Sequence, residues 1–310
     1  MHMADALLSP GAGLAMWVAA GTVLAVASRR LRERADDRLV PLMGMLGAFV
    51  FAAQMVNFSI PATGSSGHLG GGLLLAILLG PHAAFVVIGS VLTVQALFFA
   101  DGGLLALGAN MFNLGVMPCF VAYPLIYRPL AGPAPSQRRA TLAALVAAIV
   151  GLQLGALGVV LQTTLSGIAS LPPKTFLMLM LPIHGVIGVV EGLATAAIVV
   201  FLRRARPELL DGAANGVPIA PSLAALTLAT LLTGGVLSWF ASTQPDGLEW
   251  SIAHAAGVPV VHADPPAPWP DVDPGISLTG MIGGSLTLLL VMGVGFGLRR
   301  LRHVPPGDRA

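Results

Sequence analysis

Apolar residues run along this chain in long, nearly unbroken blocks, with short polar stretches between them. A membrane-spanning helix needs about 20 mostly apolar residues. Seven blocks approach or exceed that length: residues 10–28, 40–60, 104–127, 141–165, 176–202, 221–241 and 277–298. Residues 69–100 form an eighth, longer block, interrupted by LGPHAA at 79–84. Backbone polar groups in hydrocarbon must be paired within the segment, so the blocks are expected as helices. The pattern predicts an all-α integral membrane protein, a multi-span helical bundle.

Charge placement orients the blocks. Arg29, Arg30, Arg32, Arg34 and Arg38 follow the first block, and Arg128, Arg138 and Arg139 follow 104–127. Arg203, Arg204 and Arg206 follow 176–202, and Arg299, Arg300, Arg302 and Arg309 close the chain. Only Lys174 stands apart. Arginine clusters beside spans face the cytoplasm, which puts the N-terminus outside and the C-terminus in the cytoplasm. The loop 61–68 and Asp101 then both lie outside. Residues 69–100 must cross an even number of times, as two passes turning at Gly80-Pro81 or as a re-entrant element. Two passes give about nine transmembrane helices, seven in a core and two in a C-terminal segment. VLAVAS at 23–28 resembles a leader cleavage site, but the arginines follow the apolar run. That order fits an outward N-terminal anchor rather than a cleaved leader.

Composition agrees with the blocks. Apolar residues make up 55% and charged residues 10%, against about 25% charged in soluble domains. The one cysteine, Cys119, excludes an internal disulfide and a cysteine-clustered zinc site. A lipid bilayer is the expected surrounding, and no nucleic-acid partner is expected. Residues 1–206 hold the seven-span core. The polar, turn-rich stretch 207–222 reads as a cytoplasmic linker, and 223–310 as two spans around an external loop, 242–276. Small residues four apart mark packing faces. Ala143, Ala147, Gly151 and Gly155 form one; Gly44, Ala48 and Ala52 form another, for internal packing or for a second membrane subunit.

The candidate chemistry begins at the second residue. The Met1 amine, the His2 amide nitrogen and the His2 imidazole Nδ1 can chelate one ion through a five-membered and a six-membered ring. Losing the amide proton requires a metal that favours planar nitrogen sites, which points to Ni²⁺ or Cu²⁺. Three nitrogens leave one planar position, and His68 lies on the same face among flanking glycines that permit close approach. His82, His254, His262 and His303 read as turn, loop or tail histidines. His184 and Glu191, in PIHGVIGVVEG, lie seven residues apart on one helical face. Ionisable groups within a span are costly and usually functional; Glu191 is expected to pair with His184, a backbone group or a partner subunit, in a coupling or structural role, too deep to join an external site. Asp246 and Glu249, in PDGLE, are carboxylates that could bind a metal, but DGLE also fits a helix N-cap with a carboxylate three residues on, which is the preferred reading.

Several of these motifs together resemble a known family. MHMADALLSP, GSSGHLGGGLLLAILLGP, ALGANMFNLGV and PIHGVIGVVEG resemble the cobalt/nickel substrate-binding components of energy-coupling-factor (ECF) transporters, the CbiM/NikM family. PDGLEW at 245–250 resembles the small two-span NikN-like partner of nickel systems, here fused at the C-terminus. The resemblance implies a membrane subunit that captures Ni²⁺ or Co²⁺ as transported substrate, with no organic cofactor. It places the metal near the outer face in a square-planar nitrogen site formed by Met1, His2 and His68. Asn110 and Asn113, in ALGANMFNLGV, join His184 and Glu191 as coupling or structural residues. The implied partners are a CbiQ/NikQ-like transmembrane coupling subunit and CbiO/NikO-like ATPases. No G-x-x-x-x-G-K-[ST] phosphate loop occurs in this chain. The family's acidic-glycine-phenylalanine turn after the start is replaced by ADALL.

Two rival readings stand beside this one. GSSG at 64–67 matches the G-x-S-G of rhomboid intramembrane proteases, with Ser66 as nucleophile and His184 as base. A stand-alone secondary carrier or channel would place ionisable residues along a mid-membrane path, for which His184 and Glu191 are the candidates.

Overall fold

The computed structural model describes residues 1–34, 38–206, 219–258 and 278–301. Helices begin where proline or a capping side chain favours them. Pro10 opens α1 (Pro10–Arg34), Pro81 opens α4 (Pro81–Phe98) and Pro173 opens α8 (Pro173–Ala205). Ser136 caps α7 (Gln137–Ser166), its hydroxyl accepting from Arg139 N–H. Between α4 and α7 runs one rod, Leu107–Ala131. It starts as α5 (Leu107–Met111), widens to π-type winding over Phe112–Tyr127 and ends as α6 (Arg128–Ala131). Pro118 and Pro124 sit inside the wide stretch, where each lacks the N–H that ordinary winding would pair.

Seven helices among the described residues are long and apolar enough to cross a membrane. α2 (Leu39–Gln54) is shorter at 16 residues, and α3 (Gly72–Leu79) has eight. The block 69–100 thus divides at Gly80, whose φ of 77° ends α3, and Pro81 restarts the chain as α4. The eight residues of α3 rise only about 12 Å. The expected span 40–60 is too long. The chain leaves the helix after Gln54, and Phe58–Ile60 (β1) pairs antiparallel with Ser65–Gly67 (β2), Phe58 opposite Gly67. Apolar content counted Phe58 and Ile60 toward a helix, whereas PATG at 61–64 turns the chain, with positive φ at Ala62 and Gly64.

The C-terminal segment contributes α9 (Ala220–Gly235), a short helix α10 (Gly247–Ala256) and α11 (Leu278–Arg300). α9 and α11 pack on α2. A Cβ added to Gly44 would lie 2.7 Å from Met292 Cγ and 2.9 Å from Leu288 Cδ1, and one on Gly284 would lie 3.4 Å from Ala48 O. Gly234 approaches Ala52 in the same way. The face of Gly44, Ala48 and Ala52 is therefore filled by this chain's own helices and is closed to a separate subunit. The second small-residue face, on α7, lies against the π-type rod: Gly151 faces Ala122, and Gly155 faces the Asn113 carbonyl. The N-terminal residues, the β1–β2 hairpin, residues 99–106 and α10 gather at one end of the bundle.

Candidate metal site

Residues 1–8 thread into the bundle. Met1 and Met3 are buried, as are Leu7 and Leu8. Asn110, on α5, holds this segment as a neighbouring strand would. Its Oδ1 accepts from Met3 N–H at 2.8 Å and its Nδ2 donates to Met3 O at 3.1 Å. Gly103 N–H donates to the same carbonyl at 2.9 Å. Asp5 accepts from Ala106 N–H at 3.0 Å. Asn113 donates to Gln162 at 2.8 Å and touches the Met3 sulfur. Gly155 leaves room for the Met1 methyl, since a Cβ there would stand 2.9 Å from it.

A second set of polar groups fixes the chain after β2. Gly70 and Gly71 donate their N–H groups to the Glu191 carboxylate at 2.9 and 3.1 Å. Gln54 donates to Gly70 O at 2.7 Å and is itself held by Gln95. A Cβ at Gly71 would strike Val50 at 2.6 Å, and φ there is +75°, so glycine is required for the chain to dip this far inward. Glu191 is thus tied to the loop two residues past His68, and of its three expected kinds of partner it takes the backbone.

His68 Nδ1 lies 3.1 Å from Leu69 O. A carbonyl only accepts, so Nδ1 carries the proton and Nε2 the lone pair. That Nε2 faces the Met1 amine at 3.3 Å. Burial and the adjacent amine push the imidazole pKa down to about 3, so it is neutral at pH 7. The amine also donates to Asp246 Oδ2 at 2.6 Å. Burial works against a charge on Asp246, but the Met1 ammonium and the bonds it accepts hold its carboxyl well below the usual range. His2 Nδ1 meets Asp101 Oδ1 at 3.0 Å, and the His2 and His68 rings stack at 4.9 Å with an interplanar angle of 3°. Against the cost of its own burial, the His2 imidazole holds the Asp101 carboxyl low.

The Met1 amine and the stacked rings of His2 and His68 therefore lie side by side. Among the described residues no three His, Cys, Asp or Glu side chains form a metal-holding group; a site here depends on main-chain nitrogens. Asp246 also performs the capping role read from PDGLE, since its Oδ1 accepts from Leu248 and Glu249 N–H and Glu249 reaches back to its own N–H. Its second oxygen, turned to the amine, is what the sequence reading missed, along with Asp101. Both are loop carboxylates, and nothing local in the sequence links either to Met1 or His2. His184 is buried beside the amine and Asp246, its Nδ1 donating to Met180 O at 2.8 Å rather than meeting Glu191. His254 stacks on Trp250 in α10, and His82 sits edge-on to Phe120. His262 and His303 lie outside the described residues, as do most of the linker and the later part of the external loop.

The fused segment closes over this end. Ser66 N–H donates to Pro245 O at 2.8 Å, and its hydroxyl donates to Gln244 O at 2.7 Å. Trp250 Nε1 donates to Thr63 O at 2.9 Å. A serine nucleophile needs a base within hydrogen-bond reach; Ser66 spends its proton on a main-chain carbonyl.

Comparison with known proteins agrees with this arrangement. Residues 2–209 match the family described as the cobalt uptake substrate-specific transmembrane region, and residues 221–268 match the PDGLE domain. A protein of Archaeoglobus fulgidus, provisionally named a fused nickel transport protein NikMN, is 32% identical over 97% of this chain and 98% of its own length. The cobalt transport protein CbiM of Geobacter sulfurreducens is 34% identical over 68% of this chain and 61% of its own length. A crystal structure described as a transition metal transporter superposes with a TM-score of 0.59 at 32% identity, covering 69% of this chain and 98% of that one. This multi-pass membrane chain belongs to the family of cobalt-uptake substrate-specific transmembrane proteins, with a NikN-like PDGLE segment fused behind that region.

Proposed function

We propose that this chain is the substrate-capture subunit of an ECF-type importer, taking Ni²⁺, or Co²⁺, at the outer face for ATP-driven uptake. Residues 1–206 are the metal-binding core, 207–222 a cytoplasmic linker and 223–310 the PDGLE segment. A CbiQ/NikQ-like coupling subunit and CbiO/NikO-like ATPases complete the complex, and the face they use is not that of Gly44, Ala48 and Ala52.

One observation supports the site above all: the Met1 amine stands 3.3 Å from the unprotonated Nε2 of His68. In a planar chelate the amine, the His2 amide nitrogen and His2 Nδ1 occupy three consecutive corners. The fourth corner is adjacent to the amine. Neighbouring nitrogens bonded at about 2 Å stand about 2.8 Å apart in a plane, so His68 Nε2 needs to move only slightly. Binding exchanges the Asp101 contact of Nδ1 for the metal and replaces protons on the amine and the amide. Asp246 and Asp101 remain as carboxylates beside the dication. The planar nitrogen set and the PDGLE segment both favour nickel.

A secondary carrier needs ionisable groups free along a path, but Glu191 has both oxygens committed to Gly70 and Gly71. The test is at the amine. Adding one residue before Met1, or acetylating it, removes a ligand, and Ni²⁺ affinity by calorimetry is expected to fall while the thermal midpoint holds. An unchanged Kd would sink the chelate. His68→Ala is expected to weaken binding in the same assay.

A further inference from the structure

We infer that His184 is an entering ligand for the metal, a second nitrogen that attacks the planar site and speeds its loading and unloading. The inference rests on the capture site proposed above. His184 is 1% exposed, and its Nε2 has no hydrogen-bond partner among the described residues. A buried polar atom left unpaired requires an explanation. Its Nδ1 donates to Met180 O, so Nε2 carries a lone pair and no proton. That ring lines a small cavity together with Met1, His68, Gly70 and Asp246, walled by Leu114, Leu152 and Ile187. The His184 ring therefore borders the same space as Met1 and His68.

His184 does not join the capture set as it stands, because no three metal-binding side chains converge among the described residues. Its place is in exchange. A planar ion with four nitrogens has two open faces, and ligand replacement there proceeds by addition of a fifth donor before an old bond breaks. His184 Nε2 supplies that donor: its bond to the metal forms as the bond to His68 breaks. No proton moves at either ring, since both nitrogens already carry lone pairs. α8 couples the two events, because the same helix carries His184 and, two turns on, the Glu191 that holds the His68 loop.

Two substitutions in the full chain separate this role from a structural one. His184→Gln keeps a hydrogen-bond donor for Met180 O but loses the ring nitrogen; His184→Met keeps a neutral lone pair but loses the hydrogen bond. Stopped-flow transfer of Ni²⁺ to excess chelator, extrapolated to zero chelator, gives the release rate, and calorimetry gives Kd. The expected result is release and loading both about tenfold slower in H184Q, with Kd held and rates near wild type in H184M. Fast exchange in H184Q, slow exchange in H184M, or a Kd weakened with the loading rate unchanged would each overturn the assignment. His68→Ala, measured alongside, reports on the capture site itself: wild-type affinity there defeats the capture reading and leaves the His184 rates to be judged separately.

Discussion

At the scale of single residues, the site combines legible donors with supports that left little trace in the sequence. His2 and His68 could be paired from charge topology and chelate geometry alone, because ligand chemistry is carried by residue type and position. Asp246 could not be assigned to the amine, since 245 positions separate the partners and no local pattern links them. The backbone partners of Glu191 were hidden for a related reason: depth along its helix is readable, but the inward dip of Gly70 and Gly71 is not. Its role is testable. Glu191→Ala leaves two buried N–H groups unpaired, and Ni²⁺ affinity is expected to fall about 10–100-fold, as when outer-shell supports are lost. An unaltered Kd would show that the His68 loop needs no anchor. Acid tests Asp246. Its folded value is depressed, so the tether to Met1 is complete above the unfolded value of about 3.9 and is lost as pH falls below it. The protection factor of Met3 N–H, with the intrinsic slowing of exchange in acid divided out, is expected to fall progressively as pH drops below about 4; a constant protection factor would contradict this.

At the scale of elements, apolar blocks located the helices well and their ends less well. The chain's blocks at 141–165 and 176–202 became α7 and α8, each longer by several residues. Arginine-bearing turns extend the helices beyond the apolar count, which a hydropathy criterion does not see. The hairpin was lost inside a span because Phe58 and Ile60 are as apolar as any helix residue. The small-residue face on α2 was recognisable, but its occupant was open to two readings. Gly44→Leu is expected to cost about 1–3 kcal/mol by overpacking against Leu288 and Met292. The measurement is the thermal midpoint in detergent, and wild-type stability would mean that α11 docks elsewhere.

At the scale of the whole molecule, the fused segment serves as a lid for the site. Pro245 and Gln244 extend the hairpin edge, Asp246 reaches the amine, and α9 and α11 cover α2. Ending the chain at residue 219 is expected to expose α2, lower the thermal midpoint and leave the amine without its carboxylate, weakening Ni²⁺ binding at neutral pH. Equal affinity in the shortened chain would limit the segment to a packing role. The contact between Met1 and Asp246 also sets an order of events during synthesis. At roughly 5–20 residues per second, the amine emerges from the ribosome some tens of seconds before its counter-charge exists. The Met1 amine thus waits for most of the chain to be made before its carboxylate partner exists, and for that interval only the earlier contacts of the N-terminal segment, such as those of Met3 with Asn110, can hold it in place.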